Sequence, residues 1–209
     1  GSDTGGSVRQ PASFTGTVGL KPTYGRISRW GLVAYGSSLD QIGPFTKSVE
    51  DSALLLEVMA GADEYDTTAS TVVVDTYSEA KSEGKKKIAV LRDALESEGL
   101  SPAVKSRFKE IIEKLKSQGH SVAVVDFKLL KQMVPTYYVV SNAEASSNLS
   151  RFDGIHYGYR SSEATDIEST YVKSRTEGFG NEVKRRIMMG TFVLSTGYYD
   201  AYFAKAQKV

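Results

Sequence analysis

GSDTGGSVRQPASFTGTVGLKP, residues 1–22, sets three glycines, two serines, Asp3 and Thr4 within seven positions. Arg9 and Pro11 follow, then two further glycines, Gly16 and Gly19. Glycine costs roughly 0.5–1 kcal/mol relative to alanine wherever a regular element would serve. Such a cluster points to a backbone that must itself approach something closely.

Three chemistries use loops of this kind. Gly1-x4-Gly6-Ser7 has the outline of a phosphate loop, but that loop needs a lysine after its last glycine and then Ser or Thr for magnesium. Ser7 and Val8 stand there instead, and no strong strand precedes. Asp3-Thr4-Gly5 spells an aspartic-protease triplet, which works only when two carboxylates share a proton. The chain has no second Asp-Thr-Gly or Asp-Ser-Gly. The third reading takes Ser7 as a nucleophile, with Thr4, Gly5, Gly6 and Ser7 in a tight turn whose amides converge on one point. Amides so aimed form an oxyanion hole, each donor typically worth about 2.7–4 kcal/mol in an acyl-transfer transition state. For an isolated Gly-Gly-Ser a purely structural turn is the favoured reading.

The rest of the composition narrows the choice. The 209 residues are 40% hydrophobic and 24% charged, with a formal net charge of +1 from 26 basic and 25 acidic side chains. No general attraction to nucleic acid or membrane follows from such a balance. Lys85-Lys86-Lys87 is a solvated lead-in to an apolar segment. There is no cysteine, and His120 and His156 are the only histidines, which removes disulfides and Cys/His zinc sites. Acid–base or nucleophilic chemistry must therefore rest on Ser, Lys, Tyr, Asp or Glu. No apolar run approaches the roughly 18 residues of a membrane span, and no signal peptide is recognisable.

Residues 1–46 hold nine of the 19 glycines, together with Pro11, Pro22 and Pro44, and read as turn-rich. Val18-Gly19-Leu20 and Gly31-Leu32-Val33-Ala34 read as brief strands or buried turns. Ser48 with Asp51 forms a helix cap ahead of Ala53-Leu54-Leu55-Leu56, and Gly61 supplies the stop. Residues 62–86 are polar and partly loop. Lys87-Ile88-Ala89-Val90-Leu91 reads as a buried strand. Ser101-Pro102 then starts a helix with apolar positions Val104, Phe108, Ile111, Ile112 and Leu115. After Gly119, Val122–Val125 reads as a second strand, parallel to the first by the length of the crossover. From Leu129 the chain reads as mostly helical, with breaks at Asp153-Gly154, Gly178-Phe179-Gly180 and Gly197.

Gly1 through Ala12, Gly16, Gly19-Leu20-Lys21-Pro22-Thr23, Gly25-Arg26, Gly31, Asp40 and Gly43-Pro44 closely resemble the amidase signature family. The resemblance implies an α/β fold in which helices flank a mixed central β-sheet, with this chain a part of that single domain. The signature and nucleophile loop would occupy 1–61, a βαβ unit 87–127, and a mainly helical, substrate-side segment 128–209. It also implies that Ser7 is the acyl-accepting nucleophile and that the amides of Thr4, Gly5, Gly6 and Ser7 hold the oxyanion. In the family a second serine, on a cis peptide bond, passes the proton to a buried lysine, and both lie N-terminal to the Gly-Gly-Ser motif. Lys21 matches a scaffold position, and Ser2 belongs to the signature itself. The expectation is a piece of a longer protein, inactive alone for want of that lysine and bridging serine.

Later segments narrow the resemblance to one branch of the family, the glutaminase components of tRNA-dependent amidotransferases. They are Pro135-Thr136-Tyr137-Tyr138, Asn142 through Gly154, Tyr157-Gly158-Tyr159-Arg160, Arg175, Glu177 through Gly180, Glu182 through Ile187, and Gly197 through Tyr202. That branch implies hydrolysis of glutamine through a glutamyl-serine ester. The ammonia then serves the amidotransferase's B component, which amidates Glu-tRNA(Gln) with ATP and magnesium in a complex that also contains a C component. It implies no cofactor or metal in this chain, no membrane, and a cytoplasmic setting of bacterial type or an organellar matrix. For the glutamine α-carboxylate a bidentate arginine is suited. Arg186 is the position carried over, with Arg185 as its rival, and Tyr138 or Tyr137 matches the substrate-contacting tyrosine. The bland alternatives are a solvated helix face for the arginines and core packing for the tyrosines. His156 carries no assignable role. Two other outcomes stay open: a stand-alone amidase acting on another amide, and a catalytically inert fragment.

Overall fold

The structure, a computed structural model, describes residues 1–81 and 83–209. In chain order its elements are β1 (Ser2–Asp3), α1 (Arg9–Thr15), β2 (Val18–Gly19), β3 (Gln41–Ile42), β4 (Phe45–Thr46) and α2 (Val49–Met59). They continue with β5 (Lys87–Leu91), α3 (Arg92–Leu95), α4 (Pro102–Ser117), β6 (Ser121–Val125), α5 (Leu130–Asn148), α6 (Ile167–Gly178), α7 (Asn181–Leu194) and α8 (Lys205–Lys208). The fold is α/β. Its strands pair as three two-stranded ladders among the described residues: β1–β3 and β2–β4 antiparallel, β5–β6 parallel. Two compact units result, one formed by Gly1–Ala80 with Pro135–Val209, the other by Lys81–Val134.

Within the first unit, local chemistry fixes the helix ends. Ser48 Oγ accepts the Asp51 amide at 3.0 Å to start α2. Asp166 and Ser169 form a reciprocal capping box at the start of α6, satisfying two amides that would otherwise be orphaned. Gly16 closes α1 in the left-handed region, at φ 66°. The chain can then return beside α1 because Gly19 has no side chain. A Cβ there would lie 2.8 Å from the Val8 carbonyl oxygen and 2.7 Å from the Ala12 methyl. Val8 and Ala12 are both buried, so the signature segment helps to make the core. Ala143, Ala145 and Val193 extend that core to α5 and α7. Gly31-Leu32-Val33-Ala34 forms neither strand nor buried turn. Gly31 adopts φ 83°, the Leu32 amide closes a turn on the Arg29 carbonyl, and Val33 points to solvent.

In the second unit β5 and β6 run in register from Lys87 opposite Ser121 to Leu91 opposite Val125. A two-stranded ladder is marginal alone and needs a covering helix. Here α4 supplies it, started by Ser101 and Pro102. Phe108, Ile111, Ile112 and Leu115 of the expected apolar stripe line a cleft of about 520 Å³ shared with Ile88 and Val90. Val104 does not line this cleft and is 44% exposed, comparable with Phe108 at 49%. Ser82, within the stretch expected to be partly loop, lies outside the described residues.

Candidate active site

All eight candidate residues belong to the first unit. Ser7 sits in the turn between β1 and α1, exposed to solvent. The turn is held from behind by Asp3, which is 1% exposed. One oxygen, Oδ1, accepts the Gly6 amide at 2.6 Å and Arg9 Nη2 at 3.3 Å. The other, Oδ2, accepts the Val8 amide at 3.1 Å and Arg9 Nε at 3.2 Å. Strand pairing of Asp3 with Gln41 fixes where this carboxylate stands. The intervening residues must fold over it, and Gly6 does so at φ 137°, a region that favours glycine.

This closure divides the four amides of the expected oxyanion hole. Gly6 donates to Asp3, inward. Those of Thr4, Gly5 and Ser7 have no protein acceptor among the described residues. The Ser7 hydroxyl likewise has no hydrogen-bond partner among them. What the turn offers is an exposed hydroxyl beside three unspent N–H donors, which is the inventory for stabilising charge on an acyl oxygen.

Burial alone would raise the Asp3 carboxyl pKa. The hydrogen bonds from Arg9, Val8 and Gly6 outweigh it and hold the group below the ordinary carboxylate value. A depressed folded-state pKa stabilises the protein above the unfolded value, and the gain disappears as pH falls through the folded one. Asp3→Asn in the whole protein is therefore expected to lower stability by about 2–3 kcal/mol near neutrality. The gap from the parent should close as pH falls below the ordinary carboxylate range, read by thermal unfolding at a series of pH values. A gap that stays constant into acid would contradict the ionised role given to Asp3.

Tyr137 approaches this loop from α5, with Tyr138 next to it in the helix. The Tyr137 hydroxyl lies 3.3 Å from Thr4 Oγ1. Its ring presses on Gly5, where a Cβ would sit 2.9 Å from ring carbons. Tyr137 is thus packed against the turn, and the Tyr138 ring meets the Tyr137 ring edge-on at 5.6 Å between ring centres. Arg186 lies over the Tyr138 ring, 5.5 Å from its centroid. Its Nε donates to Glu182 Oε1 at 2.9 Å and its Nη1 to the Tyr35 hydroxyl at 2.8 Å. Its Nη2 has no acceptor among the described residues.

The neighbouring arginines differ in what they have left to give. Arg185 spends its planar fork on Glu182, through Nε and Nη2 at 2.8 Å each, and its side chain is 56% exposed against 23% for Arg186. Glu182, held by Arg185 first and then Arg186, has its carboxyl pulled down to about 2. It remains an anion across the physiological range and keeps both guanidinium groups oriented. Sequence reasoning missed Glu182, although its i,i+3 and i,i+4 spacing to the arginines is a readable signal. Tyr35 gave no signal at all, since 151 positions separate it from Arg186. Asp3 was legible only as part of a motif, not as the clamp beneath it. His156 is exposed, with Nδ1 2.7 Å from Asp153 Oδ2, and is removed from this group of contacts.

The Amidase family model matches residues 1–209, and the chain belongs to that family. It is 57% identical over 210 residues to the A component of the glutamyl-tRNA(Gln) amidotransferase of Fusobacterium nucleatum, covering 100% of this chain and 43% of that protein. The corresponding Latilactobacillus sakei protein is 55% identical over 208 residues, covering 99% and 42%. Among solved structures, the same amidotransferase component from Thermotoga maritima shares 44% identity at a TM-score of 0.70, covering 100% of this chain and 40% of that one. A peptide amidase from Stenotrophomonas maltophilia, 23% identical at a TM-score of 0.72 and covered to 43%, shares the fold. The chain thus spans about two fifths of the length of the curated relatives it matches. No helix among the described residues is long and apolar enough to cross a membrane.

Proposed function

We propose that these residues form part of the glutaminase component of a tRNA-dependent amidotransferase, the enzyme named for the relatives above. The observation that carries the reading is Arg186, an oriented guanidinium with an unspent Nη2, set beside Tyr138 and sharing a unit with the Ser7 turn. An amino acid with a free α-carboxylate is the ligand such a group suits. Ser7 Oγ attacks the side-chain amide carbon of glutamine, and the amides of Thr4, Gly5 and Ser7 receive the developing oxyanion. Collapse breaks the C–N bond, releases ammonia and leaves a glutamyl ester on Ser7, which water then hydrolyses to glutamate. The ammonia serves the B component, which uses ATP and magnesium to amidate Glu-tRNA(Gln), with the C component completing the assembly in the cytoplasm. No cofactor is assigned to this chain.

A serine hydroxyl is a weak nucleophile unless a base takes its proton. None of the described residues meets Ser7 Oγ, so the base is expected among residues outside these 209. The 209-residue chain by itself is accordingly expected to show no glutamine turnover above the uncatalysed rate, measured as ammonia release by a homogeneous preparation. Sustained turnover would place the base within this chain. In the assembled enzyme, glutamine-driven formation of Gln-tRNA(Gln) is the test of the function. Turnover of other amides without glutamine would favour a stand-alone amidase.

A further inference from the structure

Three contacts immobilise Arg186, and one of them has no part in the reaction described above. Glu182 holds Nε, the Tyr138 ring lies under the guanidinium plane, and the Tyr35 hydroxyl holds Nη1. Glu182 is on the same helix as Arg186, one turn earlier, and divides its oxygens between two arginines. Tyr35 comes from a distant loop, and that loop is itself clamped. The Tyr35 amide donates to Asp40 Oδ2 at 2.8 Å, and the Gly36 amide donates to the same oxygen at 3.0 Å. Asp40 is buried, 4% exposed. The Tyr35 carbonyl accepts from Asn148 Nδ2 at 3.1 Å, at the end of the helix that carries Tyr137 and Tyr138. The backbone of Tyr35 is therefore fixed on both sides before its hydroxyl reaches Arg186.

We propose that Tyr35 is a positioning residue for substrate specificity: it sets the guanidinium of Arg186 so that its Nη2 end meets the α-carboxylate of glutamine. This rests on the glutaminase reading for the identity of the ligand. The physical reason is preorganisation. An arginine side chain held at Nε, at Nη1 and across its face loses little further freedom when a carboxylate arrives. With Nε given to Glu182, recognition is left to the outer nitrogens, and the Nη1 contact decides which way they face. Tyr35 touches neither the reacting amide nor Ser7, so its effect should appear in binding of carboxylate-bearing substrates and not in the chemical step.

The test uses the whole protein in its assembled complex and the variant Tyr35→Phe, which keeps the ring and removes only the hydroxyl. The KM for glutamine is expected to rise about tenfold, the scale of one hydrogen bond to a charged group, with kcat changed by less than about twofold. Hydrolysis of glutaminamide, which lacks the α-carboxylate, should be equally slow or fast in parent and variant. Adding Tyr35→Phe to Arg186→Ala should cause no further rise in KM. An unchanged KM for glutamine, or an equal loss on glutamine and glutaminamide, would overturn the proposal, the second because it marks a merely structural role. A second readout does not depend on glutamine. In a crystal structure of Tyr35→Phe, the Arg186 guanidinium is expected to leave its present orientation. If it stays in place on Glu182 and Tyr138, Tyr35 does not position it. A parent complex that fails to hydrolyse glutamine would overturn the glutaminase reading instead, and the Arg186 orientation would still decide the role of Tyr35.

Discussion

Replacing Ser7 by alanine in the assembled enzyme is expected to abolish glutamine-driven amidation of Glu-tRNA(Gln) while leaving ammonia-driven amidation at the parent rate. Removing a serine nucleophile costs about 10⁴-fold or more where the rest of the site survives. Here it survives. The loop is held by Asp3 through the Gly6 and Val8 amides and through Arg9, none of which involves the Ser7 side chain. The amide of residue 7 belongs to the backbone and remains in place after substitution. Glutamine should still bind, and only its cleavage should fail. Added ammonia bypasses that cleavage, so the ATP-dependent half of the reaction is the internal control. Loss of both activities together would point to disrupted assembly, and near-parent glutamine use would remove Ser7 from the mechanism.

Arg186→Ala is expected to raise the KM for glutamine between about 10-fold and 100-fold, the range for losing a charge-assisted contact. Arg185→Ala should raise it far less. The sequence offered the two as rivals, and the contacts they make differ. Arg185 has both nitrogens of its fork on Glu182, and its third contact is the Met189 sulfur at 3.3 Å. Arg186 is more buried, lies over Tyr138 and keeps Nη2 unspent. Thermal unfolding of both variants should stay near the parent, since each arginine leaves Glu182 with the other as partner. If Arg185→Ala carries the larger KM effect, the guanidinium that reads the carboxylate has been chosen wrongly.

The parts of this site that were legible in the sequence are those where neighbouring residues define the chemistry. Helix starts at Ser48 and Ser101 could be read because a cap acts across three residues. The glycine turn could be read because Gly6 and Gly16 answer local demands on φ. The βαβ pattern could be read because its strands and its helix are each continuous. What joins these pieces was not legible. Thr4 meets Tyr137 across 133 positions and Arg186 meets Tyr35 across 151, and no periodicity encodes such pairs. Four convergent amides were expected from the loop, but the Gly6 amide turns inward. The Asp3 carboxylate beneath the loop is buried, and a buried carboxylate must have its acceptors filled. Gly31–Ala34 misled for a related reason. A short apolar run reads as strand or buried turn, yet the Leu32 amide closes a turn on the Arg29 carbonyl, and flanking bonds from Arg29 to the Ser37 and Asp40 carbonyls and from the Tyr35 amide to Asp40 leave this region an irregular loop.

The most direct measurement of the central claim is covalent trapping on the intact complex. Glutamine is added, the reaction is stopped in acid within its first turnovers, and the protein is digested and read by mass spectrometry. A glutamyl ester is expected on the peptide that carries Ser7, at Ser7 itself, and is expected to be absent after Ser7→Ala. A glutamyl adduct on any other residue, or glutamine turnover with no adduct on Ser7 under conditions that trap acyl-enzymes, would contradict the account.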